Sequence, residues 1–205
     1  MQISNCDRVI STIEKMLKYP ESQNNRTVKE QIDILDFCIN LLCIDFSVSS
    51  SDKILTTARD VILDPPKIPY IKPYTKKKVE LSKTHCVAYP WDLRRYTDSI
   101  LDVTYNGFDS NRDDITADYY EELNLLIVTN GRHHAAIGDV LDSGSIQADC
   151  YRLSDYFGKL KCNNDKKQWE YKSEHEPYNY DLAILYQLAE IRYHKQKQPQ
   201  QINTL

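Results

Sequence analysis

Five consecutive residues, Asn130, Gly131, Arg132, His133 and His134, have the types and spacing to handle an anion and a proton. They follow the most apolar run of the chain, "LLIV" at 125–128, and precede "HHAAIGDVL", which reads as a short helix. A strand that turns through Asn-Gly into a helix presents the helix's first backbone N–H groups to the turn, where the helix dipole is positive. Such a place attracts phosphate or carboxylate. Arg132 adds a fork that matches phosphate oxygens. His133 and His134 can donate hydrogen bonds or move protons near neutral pH. Gly131 is expected to allow close backbone approach to the anion, and Ala135 and Ala136 to let the first helical turn pack closely on the sheet. Adjacent helical side chains diverge by about 100°, so the two histidines suit an anion better than a shared metal ion, and no metal site is expected. The competing reading is structural. Asn-Gly is a turn signal in itself, even a hairpin signal, and a histidine in a first helical turn can simply be exposed. The helix-like spacing of Ile137, Val140 and Leu141 disfavours the hairpin.

Other groups are weighed in the same way. "WDLRRY" places Arg94 and Arg95 at a helix start, either as anion contacts or as a solvated basic turn beside a buried Trp91. Asp92 suits a helix cap better than a catalytic acid. Glu121 and Glu122 either hold a cation or, as paired acids commonly are, lie on the surface. "FDSNRDDITAD" lacks the glycine and terminal glutamate of a calcium loop. Tyr119, Tyr120 and Tyr151 flank apolar segments, where they either stack on a base or pack the core.

The elements that must position these groups follow from periodicity and punctuation. Residues 4–18 have helical spacing. Thr27 and Glu30 form a capping box for the strongest helix of the chain. Its Ile32, Ile34, Leu35, Cys38, Leu41, Leu42 and Ile44 cannot share one stripe, so burial on more than one side is expected. Ser51 caps a third helix running to Ile62. Residues 1–63 thus form a helical unit, which is also the candidate surface for a protein partner. Residues 64–83 read as a proline-rich, loop-like connection, with "TKKK" as a basic loop. Residues 84–196 form the second region. It holds a strand near 84–89, a helix from Asp92, a polar loop over 106–118 and a strand over 124–129. A helix then begins near His133, with Val140 and Leu141 beneath the loop, and a neighbouring strand follows at 146–151. Ser154 caps a further helix, 161–175 is polar, and a helix follows Asp181. Residues 197–205 form a disordered tail. The fold class is α+β: an N-terminal helical unit, a small mixed sheet and a C-terminal helix.

Composition bounds the rest. The 205 residues are 41% hydrophobic and 27% charged, with a net charge of −4, a globular balance that gives no overall pull toward nucleic acid or anionic membrane. No apolar run is long enough for a membrane span, and the first residues do not read as a signal peptide. None of the six cysteines forms a C-x-x-C pair, and buried reduced thiols in a cytoplasmic protein are expected.

The order strand, Gly-x-His-polar-x-Ala, short helix, Gly, strand in "LIVTNGRHHAAIGDVLDSGSIQADCYRL" resembles the ParB and sulfiredoxin-like superfold. It also looks like a small bacterial group with Gly-Asn-His-Ser at this place. The match covers about 35 residues closely and 84–160 loosely. Two departures shape what it implies. Sulfiredoxins carry a reactive cysteine after the glycine, where this chain has Arg132, so sulfinic-acid reduction is not expected. ParB-type CTP switches carry Gly-Glu-Arg-Arg, where this chain has Arg132 and His133 after Gly131. No helix-turn-helix accompanies the motif, so a centromere-binding role is not expected either. The resemblance implies a phosphate site for a nucleotide or nucleic acid, formed by Asn130, Gly131 and Arg132, with Arg94 and Arg95 from the preceding helix. His133 or His134 would be the general acid/base, and Mg2+ would accompany a nucleotide. The resulting function is NTP hydrolysis or nuclease action in bacterial or phage conflict. A non-catalytic nucleotide-sensing or protein-interaction module, and a structural protein in which the loop is only a turn, remain the alternatives.

Overall fold

The computed structural model describes residues 5–18, 27–51, 64–109 and 114–197. The expected third helix over 51–62 lies outside them after Ser51, and so does the tail from residue 198. The chain divides into two compact units, one of residues 1–42 with 154–205 and the other of residues 43–153.

The first unit contains helix α1, Asn5–Lys18, and the N-terminal part of helix α2, Val28–Ser51. The capping box forms as its chemistry demands. Glu30 accepts from the Thr27 backbone N–H at 2.7 Å, and the Thr27 hydroxyl accepts from the Glu30 N–H at 3.2 Å. α2 is not covered all round. Leu35, Cys38 and Ile39 are buried, while Phe37, Leu41, Ile44 and Val48 are exposed. Residues three and four apart share a helix face, so the surplus apolar residues form a second, solvent-facing stripe rather than a second buried one.

The polar stretch near 161–175, which carries no clear period, folds as an antiparallel sheet of β6 Leu160–Asn163, β7 Gln168–Tyr171 and β8 Glu174–Pro177. Trp169 of β7 is fully buried and meets Tyr186 edge-on, with centroids 5.4 Å apart. Tyr186 belongs to the C-terminal helix α5, Tyr180–Gln196, which Asn179 caps by accepting from the Leu182 N–H. One large aromatic thus supplies a core that the strands' alternation does not announce. The expected helix after Ser154 is only a single 3-10 turn, Leu153–Asp155.

The second unit is built on a five-stranded mixed sheet in the order β1-β5-β3-β4-β2. Its strands are β1 Thr75–Glu80, β2 His85–Val87, β3 Thr116–Tyr120, β4 Leu125–Asn130 and β5 Ser145–Tyr151. Strand β1 corrects the expectation of an irregular connection. Thr75 to Glu80 pair residue by residue with β5, and only Val79 is buried. The lysines of "TKKK" are exposed, charged side chains on both faces of an edge strand, a composition that discourages pairing with another chain. Lys76 and Lys77 reach Asp149 and Glu121 at 3.4 and 2.7 Å.

Strand β3 corrects a second expectation, because the polar loop ends before Thr116. β3 pairs antiparallel with β4 and parallel with β5, so it separates them, and β5 is not the immediate neighbour of β4. Helices α3, Leu93–Asn106, and α4, Arg132–Val140, pack on one face of this sheet. The shared core includes Tyr96 and Val103 of α3, Ala135, Ala136 and Ile137 of α4, and Leu126, Val128, Ile146 and Ala148 from the strands. The alanines at the start of α4 are fully buried, as close helix–sheet packing requires. Val140 and Leu141 do not lie beneath the loop. They are 67% and 50% exposed, because the buried run of α4 is His134 to Gly138 and the helix turns its last residues outward. All six cysteines are free thiols, five of them buried. No helix among the described residues is long and apolar enough to cross a membrane.

Candidate functional site

β4 ends in Thr129 and Asn130, and the chain turns into α4 through Gly131. The turn is held by the start of β3 and the residues before it. The Thr129 hydroxyl donates to the Thr116 carbonyl at 3.0 Å, and the Asn130 amide donates to the Asp114 carbonyl at 3.1 Å. Gly131 is the N-cap of α4 in the left-handed region, at φ 69°. A Cβ there would lie 2.6 Å from Ile115 Cγ1, so glycine is required by backbone conformation and by packing against Ile115. Having no side chain, Gly131 offers no cap to the first N–H groups of α4, and the first bond within the helix runs from Ala135 N–H to the Gly131 carbonyl.

These residues open onto a cavity of about 480 Å³. One wall is the turn itself: Thr129, Asn130, Gly131, Arg132, His133 and His134. The facing wall is one side of α3, with Arg95, Asp98, Ser99 and Asp102 at one-turn spacing, together with Trp91 ahead of the helix. Burial draws the Arg132 guanidinium somewhat below its usual range, and nearby Asp64 acts in the opposite direction. An arginine remains cationic at neutral pH regardless.

The two histidines have different surroundings. His133 Nε2 accepts from the backbone N–H groups of Trp91 and Asp92, at 3.3 and 3.2 Å. His134 is 7% exposed, and its Nε2 lies 3.1 Å from Asp102 Oδ2. The Asp102 carboxylate faces the imidazole nitrogen across that distance. Of the two arginines expected from α3, Arg95 lines the cavity and its guanidinium lies over the Trp91 ring, 5.1 Å from the centroid. Arg94 lies instead along a shallower depression with Asp92, Leu93, Thr97 and Asp98. Asp92 is a helix cap, accepting from the Arg95 N–H at 2.8 Å.

The residues sequence reasoning missed are Asp98, Ser99 and Asp102. Their i, i+1, i+4 spacing puts them on the Arg95 face of α3, but a polar helix face usually meets only water, so the signal was weak. The remaining candidates do not join the cavity. Glu121 is paired with Lys77, Glu122 accepts from the Leu153 N–H, and Tyr120 packs on Tyr151 in the interior. Among the described residues no group of three or more histidines, cysteines or acids is placed to hold a metal ion.

Asp139, one turn beyond the cavity residues on α4, makes a pH-dependent prediction. Burial, with the charge of Asp142, pushes its carboxyl up to about 7. This lies above the unfolded value of about 3.9, so the stability Asp139 contributes is present below that unfolded value and is lost as pH rises through about 7. Asp139→Asn cannot ionise. Thermal melts should therefore show the variant gaining on the parent between about pH 4 and about pH 8. A difference that stays constant across that range would show that the carboxyl titrates normally.

Together the fold and the site define an α+β protein with a histidine- and arginine-bearing pocket at a strand-to-helix turn. The chain belongs to a family of unknown function, DUF6710, whose model matches residues 2–199. No curated protein and no solved structure matches it.

Proposed function

We propose that this chain is a phosphate-recognising, ParB-like protein that acts on a nucleotide or nucleic acid, as a nucleotide hydrolase or nuclease. The observation that carries the reading is the cavity at the start of α4, which Arg132 and a helix N-terminus without a side-chain cap face together with the His134–Asp102 pair. The helix start and Arg132 grip phosphate oxygens. His134, oriented by Asp102, is the proton-transfer group. The strand, loop and helix order around Gly131 supports the superfold resemblance. Its size suits a small ligand, since such pockets run from about 300 to about 1,000 Å³. Where Mg2+ accompanies a nucleotide, one or two carboxylates suffice beside the phosphates, and Asp98 and Asp102 are the cavity's carboxylates. A bacterial or phage-conflict setting follows from the resemblance alone, and residues 1–63 remain the candidate partner surface.

The test is a thermal-shift and calorimetric screen of nucleotides, with and without magnesium, on the parent chain and on Arg132→Ala. At least one nucleotide should stabilise the parent, and Arg132→Ala should weaken it by about 1.5–3 kcal/mol, the scale of a hydrogen bond to a charged group. Binding without turnover of nucleotide or nucleic acid would favour a sensing module. No binding by any phosphate compound would leave the loop a structural turn.

A further inference from the structure

We propose that His133 is the positioning residue of this pocket: its neutral ring fastens the first turn of α3 to the anion loop, and protonation releases it. The ligand-binding consequence rests on the phosphate reading above, whereas the fastening itself does not.

The argument begins with what the ring accepts. His133 lies in the first turn of α4, yet its Nε2 takes hydrogen bonds from the N–H groups of Trp91 and Asp92, directly ahead of α3. Asp92 is already committed to the Arg95 N–H, so α3 is capped from two sides, by its own aspartate and by a histidine from another helix. The indole of Trp91 lies beside the same ring, with centroids 5.6 Å apart. His133 therefore touches both walls of the cavity. Its backbone belongs to the loop wall, and its ring holds the end of the α3 wall.

An imidazole that accepts at Nε2 carries its proton on Nδ1. An imidazolium has hydrogens on both nitrogens and accepts nothing. Protonation thus removes both bonds and turns an N–H toward two other N–H groups. It also places positive charge at the N-terminus of α3, the end where the dipole disfavours it. The charged groups around the ring pull both ways. Asp92 at the cap of α3 and Asp98 and Asp102 across the cavity favour the cation, and Arg95 opposes it. On α4 itself Arg132, beside Asp64, opposes it as well, and His134, beside Asp102, is the neighbouring titratable group. The end of β4 contributes only the uncharged Thr129 and Asn130. No carboxylate rotation can restore an acceptor at Nε2, so loss of the two bonds follows protonation whatever the balance of charge.

The division of labour between the adjacent histidines follows. His133 sets the distance between the walls, and His134 faces Asp102 in the interior. Phosphate affinity should accordingly fall once the His133 ring is protonated, without loss of the global fold.

Amide hydrogen exchange of Trp91 and Asp92 tests this directly on the full chain, and binding of inorganic phosphate and of adenosine 5′-monophosphate is measured alongside. Protection factors at both amides should drop about tenfold between about pH 7.5 and about pH 5, the scale of a lost helix cap. Glutamine can place an acceptor oxygen near the same point and does not titrate. His133→Gln should therefore keep the protection at both pH values, and His133→Lys should lack it at both. Protection in the parent chain that does not change with pH overturns the proposal, and so does a His133→Gln variant that loses protection as the parent does. If the variants fail to fold, the parent's pH series decides alone. Loss of protection at low pH with neither phosphate compound bound at any pH would sink the phosphate reading and leave the fastening standing. Phosphate binding with pH-independent protection would do the reverse.

Discussion

Replacing Gly131 by alanine should destabilise the second unit by about 2–5 kcal/mol. The left-handed backbone costs an L-residue about 1–2 kcal/mol, and forcing a methyl into packed surroundings costs about 1–3 kcal/mol. Both apply, at φ 69° and with Ile115 Cγ1 2.6 Å from the new Cβ. Two other glycines separate the contributions. Gly107 has nothing within 4 Å of an added Cβ, so Gly107→Ala carries a backbone cost without a contact, though at φ 80° and ψ 168° that cost is of a region essentially restricted to glycine rather than the left-handed helical one. Gly138 shows no positive φ but would meet Phe108 at 2.5 Å, so Gly138→Ala carries the contact alone. Urea denaturation should rank Gly131→Ala above Gly138→Ala, and a cost for Gly131→Ala below about 2 kcal/mol, the left-handed backbone alone, would mean that Ile115 yields. Gly131→Val tests the fold rather than the ligand site. The Cβ points toward Ile115, and a β-branched residue at this φ is a severe outlier, so the variant damages the fold first.

The second large effect is catalytic. With a substrate from the nucleotide screen, His134→Ala should lower turnover by about 10²–10⁴-fold while ligand binding persists, as expected for loss of a general acid/base. Asp102 acts through His134, so Asp102→Asn should lower turnover less, and the double variant should be no worse than His134→Ala alone. His133→Ala should instead raise KM, because it loosens the α3 wall. Comparing circular dichroism and kcat across the set separates chemistry from folding, since His134 is also buried against Phe108. A His134→Ala enzyme with parental kcat would move the chemistry elsewhere, first to Arg95 of the same cavity.

Much of the architecture around the site was determined by sequence alone. An apolar run, Asn-Gly and an alanine-rich helical pattern dictate strand, turn and helix, because each is a local preference of a few residues. The Thr27–Glu30 box and the Asp92 cap are equally local, made of side chains that serve their own backbone. What only the tertiary structure decided depends on groups distant in the chain. β1 and β3 are strands because β5 and β4 lie alongside them, and their polar residues are the cost of an edge or an outward face. The three-stranded sheet exists because Trp169 finds Tyr186, which no window of sequence contains. The same holds in the cavity. The sequence offers two histidines of identical type one residue apart. Which one binds two backbone N–H groups and which one meets Asp102 is set by how α3 lies across α4, since helical side chains one residue apart point to different neighbours.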